Sequence, residues 1–373
     1  MTHFLIAVLL LAPLALVQAA TLTLSSPLDY QVIQRSSKYN GAITISGEVT
    51  DAGADTAAID VRIGTKGHAG EWQRVGAQWD QAQFRATFDA PAGGWYRLEV
   101  RAVARAKVLA ESAVDPIGIG EVFVIAGQSN SANYGSEKQS TKTGRVSAFD
   151  GKKWQIANDP QPGADGNGGS FMAPFGDAMV DRLGVPVGII ACGAGGTSVR
   201  HWLPKGTRSP ILPTGSTSHL PSGEWESDGG LFNNLIARMK APGPRGFRAV
   251  LWHQGESDAN QADPARTLPG KLYREYLESI IRLSRSEVGW DAPWFVAQVS
   301  YHVPGDEASP DIRAAQASLW KDSIALEGPD TDALKGDLRE NGGKGVHFSG
   351  PGLRAHAALW VEKVAPWLEQ QLR

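Results

Sequence analysis

The sequence has one cysteine, Cys192, among its 373 residues and no large excess of either charge. A single cysteine excludes an intrachain disulfide, so the fold has to be stabilised by burial of a core. Lysines and arginines number 36 against 39 aspartates and glutamates, which gives a formal net charge of −3. This balance provides no electrostatic basis for binding nucleic acid or an anionic membrane surface, and we expect neither partner.

Long hydrophobic runs are also lacking beyond the N-terminus, so no later segment is predicted to span a membrane. The run Phe4–Val17 is itself shorter than the roughly 20 residues that a spanning helix needs. The run ends at Val17, and Val17-Gln18-Ala19 fits the small-x-small rule for signal-peptide cleavage. The sequence therefore predicts a signal peptide over residues 1–20, with a mature chain that is exported to the periplasm or the extracellular space.

The length suits two domains, and the pattern of the chain changes near residues 115–120. Residues 21–116 alternate apolar and polar side chains in short stretches, such as Ala42–Val49, Ala58–Ile63 and Trp95–Arg101. Alternation at this spacing, with turn signals between the stretches, predicts a small all-β sandwich. No cluster of histidines or carboxylates suggests chemistry there, so a structural role is favoured over carbohydrate binding.

Residues 117–373 show the pattern of an α/β domain, in which buried strands alternate with helices. Such alternation indicates a parallel sheet with helices on both faces. The long segment Thr197–Leu231, rich in glycine, serine and proline, is interpreted as a loop that is either functional or disordered. The predicted strands are Val122–Ala126, Val185–Ala191, Ala249–Trp252 and Trp294–Val299, and the predicted helices are Phe175–Leu183, Leu272–Arg285, Ile312–Asp322 and Pro351–Gln371.

A serine, Ser129, follows the first of these strands directly. Gly127 allows the backbone to turn sharply at the end of the strand, at the edge of the sheet where α/β proteins bind ligands. We expect a serine at this place to be exposed and close to backbone N–H groups, as an acyl-transfer nucleophile must be. The alternative is an ordinary helix N-cap.

Two more polar segments follow buried strands. The small residues of Gly193–Ser198 would let a backbone N–H approach a substrate oxygen closely, as in an oxyanion hole. In Trp252–Asp258, the Gln254 side chain could donate its amide to a developing oxyanion. Glu256 or Asp258 could orient a histidine.

The histidine candidate is His347, just before the last helix, whereas His356 is interpreted as an ordinary helix residue. A metal site formed by His253, Glu256 and Asp258 is the competing interpretation of the third polar segment. Their spacing matches no zinc motif, and no HExxH occurs, so no metal is predicted.

Together, four segments resemble the SGNH hydrolases, and specifically their sialate O-acetylesterase-like branch of carbohydrate acetylesterases. These are GQSN at 127–130, GGTS at 195–198, WHQGESD at 252–258 and VHFSGPG at 346–352. The resemblance covers about Glu121 to Leu368 and leaves the N-terminal β region outside. It implies a three-layer α/β/α fold of the flavodoxin-like kind, hydrolysis of esters by a serine, and removal of acetyl groups from sugars. It implies no metal and no organic cofactor.

Transferred to this chain, the resemblance makes Ser129 the nucleophile and His347 its base. The N–H groups of Ser129 and of Gly195 or Gly196, together with Gln254, would form the oxyanion hole.

The sequence departs from this superfamily at the acid of the triad. Many members have an aspartate three residues before the histidine, where this chain has Lys344. Glu256 is our expected acid because it lies beside the proposed oxyanion donor, although it could instead only pin the surrounding loops. Asp258, Asp332 and Asp337 are alternatives, as is a Ser–His dyad.

Two other functions compete with an exported carbohydrate O-acetylesterase. One is a glycan-binding protein that keeps the fold without catalysis, and the other is an esterase for lipids, thioesters or aryl esters. The sequence does not select the sugar or indicate an oligomeric state. An anionic sialate would favour an arginine near the site, for which Arg200 and Arg339 are candidates.

Overall fold

The computed structural model describes residues 19–51, 57–217 and 219–373. The predicted signal peptide, apart from its last two residues, therefore lies outside the described residues. The structure is a mixed α/β fold, and its described strands form a four-stranded sheet, an eleven-stranded sheet and a two-stranded ribbon. In the described part of the chain, no helix has the length and apolar character needed to cross a membrane.

The N-terminal region is built from β-strands that pair mainly in antiparallel fashion. One sheet has the order β1-β3-β7-β6, and its strand β3 alternates buried and more exposed residues, as the sequence pattern predicted. The strands are β1 (Thr21–Ser26), β2 (Val32–Gln34), β3 (Asn40–Thr50), β4 (Ala58–Gly64), β5 (Gln73–Val75), β6 (Ala77–Asp80), β7 (Gln83–Pro91) and β8 (Gly93–Ala104). Their inward residues form a hydrophobic cluster of their own, which includes Ile43, Val61 and Val100.

One long strand, β9 (Lys107–Gly127), connects this region to the rest of the molecule. Its first part pairs antiparallel with β8, and its last part pairs in parallel with two later strands. The predicted boundary at residues 115–120 thus falls inside a continuous strand rather than in a linker.

The second region alternates strands and helices. Its elements are β10 (Val146–Phe149), β11 (Trp154–Ile156), α1 (Met172–Leu183), β12 (Val187–Ala191), β13 (Arg208–Ser209), β14 (Trp225–Glu226), α2 (Gly230–Lys240), β15 (Ala249–His253), α3 (Gly270–Val288), β16 (Trp294–Gln298), α4 (Pro310–Lys321), β17 (Leu326–Asp330), α5 (Glu340–Gly343) and α6 (Gly350–Gln371). Strands β10, β12, β9, β15, β16 and β17 are neighbours in this order and pair in parallel.

The buried runs of the central strands have partners on both faces. Val122 and Val124 belong to one hydrophobic cluster, with residues of α2, α3 and α4. Phe123 and Ile125 belong to another, with residues of α1 and α6. Successive side chains of a strand point to opposite faces, so a sheet that is covered on both faces needs continuous apolar strands.

Several short elements escaped prediction from the sequence. Strands β10, β11 and β17 are only three to five residues long, and Pro329 within β17 disguises it. Helix α2 starts at Gly230, inside the segment interpreted as a loop. The rest of that loop is not simply polar surface, because Trp202 and Trp225 within it are buried.

Strands β12, β9 and β15 are adjacent and parallel, so their carboxyl ends lie side by side. They end at Ala191, Gly127 and His253. The three polar segments that follow them therefore leave the same edge of the sheet.

Candidate active site

The turn after β9 places Ser129 at this edge. Gly127 has a φ of +128°, and a Cβ there would lie 2.1 Å from the carbonyl oxygen of His253, so only glycine fits. Ser129–Ser131 form a short 3-10 turn in which Gln128, not Ser129, occupies the N-cap position. Ser129 is only 5% exposed, which is less open than expected from the sequence.

Asn130, the next residue, connects three of the four sequence segments. Its Nδ2 donates to Glu256 Oε1 at 2.9 Å and to the carbonyl oxygen of Val346 at 3.2 Å. Val346 immediately precedes His347. The loop that carries the serine is therefore joined to the loop that carries the histidine.

Glu256 is buried beneath this connection. Its Oε2 has no partner among the described residues, and burial raises the pKa of its carboxyl to about 7. Its backbone oxygen is 2.5 Å from His302 Nε2. The carboxylate thus contacts Asn130, and the structure does not bring it to His347.

Glu340 takes that place instead. Its Oε1 lies 2.8 Å from His347 Nδ1 and also accepts the His347 backbone N–H at 3.2 Å. The Glu340 N–H in turn donates to the His347 carbonyl at 2.9 Å. The two side chains are 22% and 19% exposed, so solvent reaches the pair. A carboxylate in this position fixes the orientation of the imidazole.

A tight hairpin explains why the acid precedes the histidine by seven residues rather than three. Asn341, Gly342 and Gly343 have φ values of +54°, +64° and +87°, all in the left-handed region. The chain reverses there, and Arg339 and Phe348 form an antiparallel bridge. The sequence did contain a signal for this, because Asn-Gly-Gly between Glu340 and a later histidine is a typical hairpin turn.

Asp165 is another site residue that the sequence analysis missed. Its Oδ2 accepts the Tyr134 hydroxyl at 2.7 Å and the Gly195 N–H at 3.1 Å. The bond to Asp165 raises the pKa of Tyr134 to about 12. The Tyr134 ring lies against the His347 ring, with centroids 5.3 Å apart. Nothing in the glycine-rich sequence around Asp165 marks it for this contact.

Two of the expected oxyanion donors already donate hydrogen bonds to other protein groups. The Gly195 N–H already has Asp165 as its acceptor. The fully buried Gln254 places Nε2 within 2.7 Å of Asp258 Oδ2 and 3.2 Å of the Thr197 carbonyl oxygen. In the described part of the chain, by contrast, no acceptor lies within hydrogen-bond distance of the N–H groups of Ser129 and Gly196.

Asp258 joins the second and third segments. It accepts the Ser198 hydroxyl at 2.5 Å and the Val199 N–H at 2.8 Å, and it forms an ion pair with Arg200 at 3.1 Å. Both charged side chains are fully buried. Desolvation lowers the pKa of Arg200. Asp258 therefore has a structural role, because it holds the loops of the second and third segments together.

Neither arginine suggested for an anionic sugar is free to bind one. Arg200 is fully buried against Asp258. Arg339 is 1% exposed, donates to the carbonyl oxygens of Leu334, Val346 and Thr331, and lies over aromatic rings. Both stabilise the loops of the site.

Among the described residues, neither of the remaining candidate acids forms an ion pair or a hydrogen bond with the His347 side chain. Asp332 is buried and accepts the Ser300 backbone N–H and hydroxyl, both at 2.9 Å, while Asp337 is exposed. His253 and His356 are fully buried, and burial lowers the pKa of His253 to about 3.

Each of the three residues considered as metal ligands has a hydrogen-bond or ion-pair partner outside the set. His253 Nε2 lies 2.9 Å from the Thr331 hydroxyl, while Glu256 bonds Asn130 and Asp258 pairs with an arginine. Over residues 19–51, 57–217 and 219–373, no group of three or more metal-ligating side chains is close enough to hold an ion.

Comparison with known proteins identifies the class. The family model for "Carbohydrate esterase, sialic acid-specific acetylesterase" matches residues 119–358. The chain is thus a carboxylic ester hydrolase, one of the carbohydrate esterases. More particularly, because the match spans more than half of its length, it belongs to the sialic acid-specific acetylesterase family. The resemblance inferred from the four segments is confirmed.

One solved structure supports the mixed α/β fold, and two others are similar to smaller degrees. A carbohydrate acetylesterase from Xanthomonas citri superimposes with a TM-score of 0.52 at 19% identity, over 91% of this chain and 74% of that chain. NanS is 18% identical over 67% of this chain and 98% of its own, with a TM-score of 0.44. A carbohydrate esterase family 2 enzyme from Corynascus thermopiles (Myceliophthora fergusii) is 12% identical, over 93% of this chain and 99% of that chain, with a TM-score of 0.38. The search of curated proteins found no significant match.

Proposed function

We propose that this chain is an exported serine esterase that removes O-acetyl groups from carbohydrates, using Ser129, His347 and Glu340. The observation that carries the proposal is the 2.8 Å contact between Glu340 and His347 Nδ1, in a loop that Asn130 joins to the serine. The family supplies the substrate class, an acetylated carbohydrate. Export rests on the sequence of residues 1–20.

In the proposed mechanism, Glu340 holds the proton on Nδ1 of His347, which leaves Nε2 free to act as a base. His347 accepts the proton of Ser129 as the serine oxygen attacks the acetyl carbonyl carbon. It then returns the proton to the departing sugar oxygen, and an acetyl-serine remains. Water, deprotonated by His347, attacks this ester, and acetate leaves as the Ser129 hydroxyl is restored.

The oxyanion hole is proposed to consist of the N–H groups of Ser129 and Gly196. Both lack a protein acceptor among the described residues, whereas the predicted donors Gly195 and Gln254 are already bonded. Gly196 is exposed and has a φ of +66°. Donors that are fixed before the reaction stabilise the developing charge without reorganisation.

Glu256, the acid expected from the sequence, is proposed as a positioning residue. It acts through Asn130, which lies next to the nucleophile and also bonds the residue before His347. A glutamine at position 256 would keep an oxygen acceptor for Asn130, so this role does not require its negative charge.

We also propose the finer architecture predicted from the sequence, a β-sandwich over 21–116 and a three-layer α/β/α esterase domain over 117–373. The separate hydrophobic cluster of the N-terminal strands supports the first part. The two clusters that use alternate residues of β9 support the second.

The test is hydrolysis of 4-nitrophenyl acetate and butyrate by the wild type and by Ser129→Ala. Ser131→Ala is the matched control, because among the described residues this neighbouring serine hydroxyl bonds only the Gln128 carbonyl, at 2.7 Å. We expect activity on acetate, weaker activity on butyrate, loss in Ser129→Ala and retention in Ser131→Ala. Preference for longer acyl chains would instead indicate a lipid or thioester substrate.

Acetate release from acetylated polysaccharides completes the test. A folded wild-type protein that hydrolyses neither the nitrophenyl ester nor any acetylated glycan would refute catalysis. The glycan-binding function would then replace it.

A further inference from the structure

A second cleft lies far from Ser129, between the N-terminal strands and the segment Ala241–Arg248. Its volume is about 750 Å³. Arg248 and Pro293 line it, and they directly precede β15 and β16. Ser129 follows the opposite ends of the parallel strands. A five-residue strand spans roughly 17 Å, so a ligand in this cleft would not occupy the catalytic edge.

The charged side chains that line the cleft are all positive. They are Arg35, Arg85, Arg245 and Arg248. Arg35 and Arg248 share one buried carboxylate, Glu121, with contacts of 2.6 and 2.7 Å. Arg85 and Arg245 are exposed, and no described acidic residue forms an ion pair with either. The cleft therefore has a net positive charge, although the chain as a whole is negative.

Two tryptophans also line the cleft, and neither is fully buried. Trp290 packs against Phe247 with ring centroids 5.1 Å apart, and Trp367 packs edge-on against Phe295 at 5.2 Å. The Arg245 guanidinium lies 5.7 Å from the Trp290 ring centroid. The aromatic faces are thus held in place by the protein before any ligand arrives.

Exposed arginines and fixed indole rings together suit one kind of ligand. Guanidinium groups bind carboxylates in bidentate geometry, and indole rings offer a flat apolar face to a pyranose ring. Hydroxyl and amide side chains of Thr44 and Gln371 add hydrogen-bonding groups. We propose that this cleft is a non-catalytic binding site for an acidic saccharide, one that carries carboxylates on its sugar rings.

The function of such a site would be to retain the polymer while the distant serine acts on its acetyl esters. The proposal stands on the cleft and does not require that Ser129 be the nucleophile. Binding is measured directly, so failure of the hydrolysis test and failure of this one remain distinguishable.

The experiment measures binding of an unacetylated oligogalacturonate to the full chain by isothermal titration calorimetry, with a neutral xylo-oligosaccharide for comparison. The variant is Arg85→Ala/Arg245→Ala, which removes two exposed side chains and should fold normally. The matched control is Arg282→Ala, an exposed arginine on α3 outside the cleft. We expect the double variant to bind at least about tenfold more weakly, since losing hydrogen bonds to a charged group lowers affinity by about that factor or more. The control should bind as the wild type does.

Binding of the acidic saccharide should also weaken with added salt, while hydrolysis of 4-nitrophenyl acetate stays unchanged in both variants. Equal affinity of the double variant and the wild type would overturn the proposal. Equally tight binding of the neutral saccharide, or tighter binding of single-stranded DNA, would overturn it as well.

Discussion

Replacing Glu340 by glutamine is the most direct test of the triad. In the native protein Oε1 of Glu340 accepts both the Nδ1–H and the backbone N–H of His347. Glutamine can accept both bonds with its amide oxygen, so the histidine should keep its place. Only the negative charge that is proposed to stabilise the imidazolium in the transition state is lost.

The size of the effect follows from the 2.8 Å separation. Coulomb's law gives about 6 kcal/mol at an effective dielectric constant of about 20 and about 1.5 kcal/mol in water. Both side chains are about one-fifth exposed, so solvent screening favours the lower half of this range. A loss of about 2–3 kcal/mol corresponds to a decrease in kcat/KM of roughly 30- to 150-fold.

The assay is kcat/KM for 4-nitrophenyl acetate as a function of pH, with Glu256→Gln as the matched control. The control keeps an acceptor for Asn130, so we expect it to remain within a few-fold of the wild type. If Glu340→Gln is as active as the wild type while Glu256→Gln loses most of its activity, Glu256 is the acid and the assignment of Glu340 is refuted.

Three further predictions concern the loops around the site. Burial raises the pKa of Glu256 from 4.5 to about 7, so between these pH values the native state retains a proton that the unfolded state releases. The free energy of unfolding should therefore fall by about 3 kcal/mol as the pH rises across that interval. Urea unfolding measured at the low and the high end of the pH interval should show this fall in the wild type and not in Glu256→Gln. In Gly345→Ala, the new Cβ would lie 2.2 Å from Glu340 Cγ and displace the Glu340 carboxylate. Esterase activity should therefore drop while the circular dichroism spectrum is unchanged. Full activity would contradict this geometry. Asp258→Ala leaves the fully buried Arg200 without its ion-pair partner and should cost about 3–5 kcal/mol of unfolding free energy. A loss below about 1 kcal/mol would show that the pair is not structurally important.

Sequence patterns predicted those strands and loops whose structure follows from the residues of a short segment. Strands such as Val122–Ala126 were predictable because both of their faces are covered, which demands an unbroken apolar run. The segments that follow β9, β12 and β15 were expected at one sheet edge, and the structure places them there. Ser129 and His347 lie in loops that Asn130 connects, and their catalytic roles remain predictions.

The contacts that complete the site depend on loop geometry and were not predictable in the same way. Glu340 reaches His347 only because three consecutive residues adopt left-handed conformations. Asp165 meets Gly195 across 30 residues of chain, and no periodic pattern encodes such a pairing. Glu256 had the right chemistry for a triad acid, but its carboxylate is directed to Asn130.

The same contacts explain why two expected oxyanion donors are already engaged. Each loop at the sheet edge is bonded to another loop through one polar side chain: Asn130, Asp165 or Asp258. The Gly195 N–H is the donor in one of these bonds, and the Gln254 amide donates to Asp258 in its own loop and to the Thr197 carbonyl oxygen in the neighbouring one. Hydrogen bonds that join loops in this way restrict the motion of a site. The N–H groups that remain unpaired in the described structure are therefore held in fixed directions before substrate arrives, which is the condition under which an oxyanion hole is most effective.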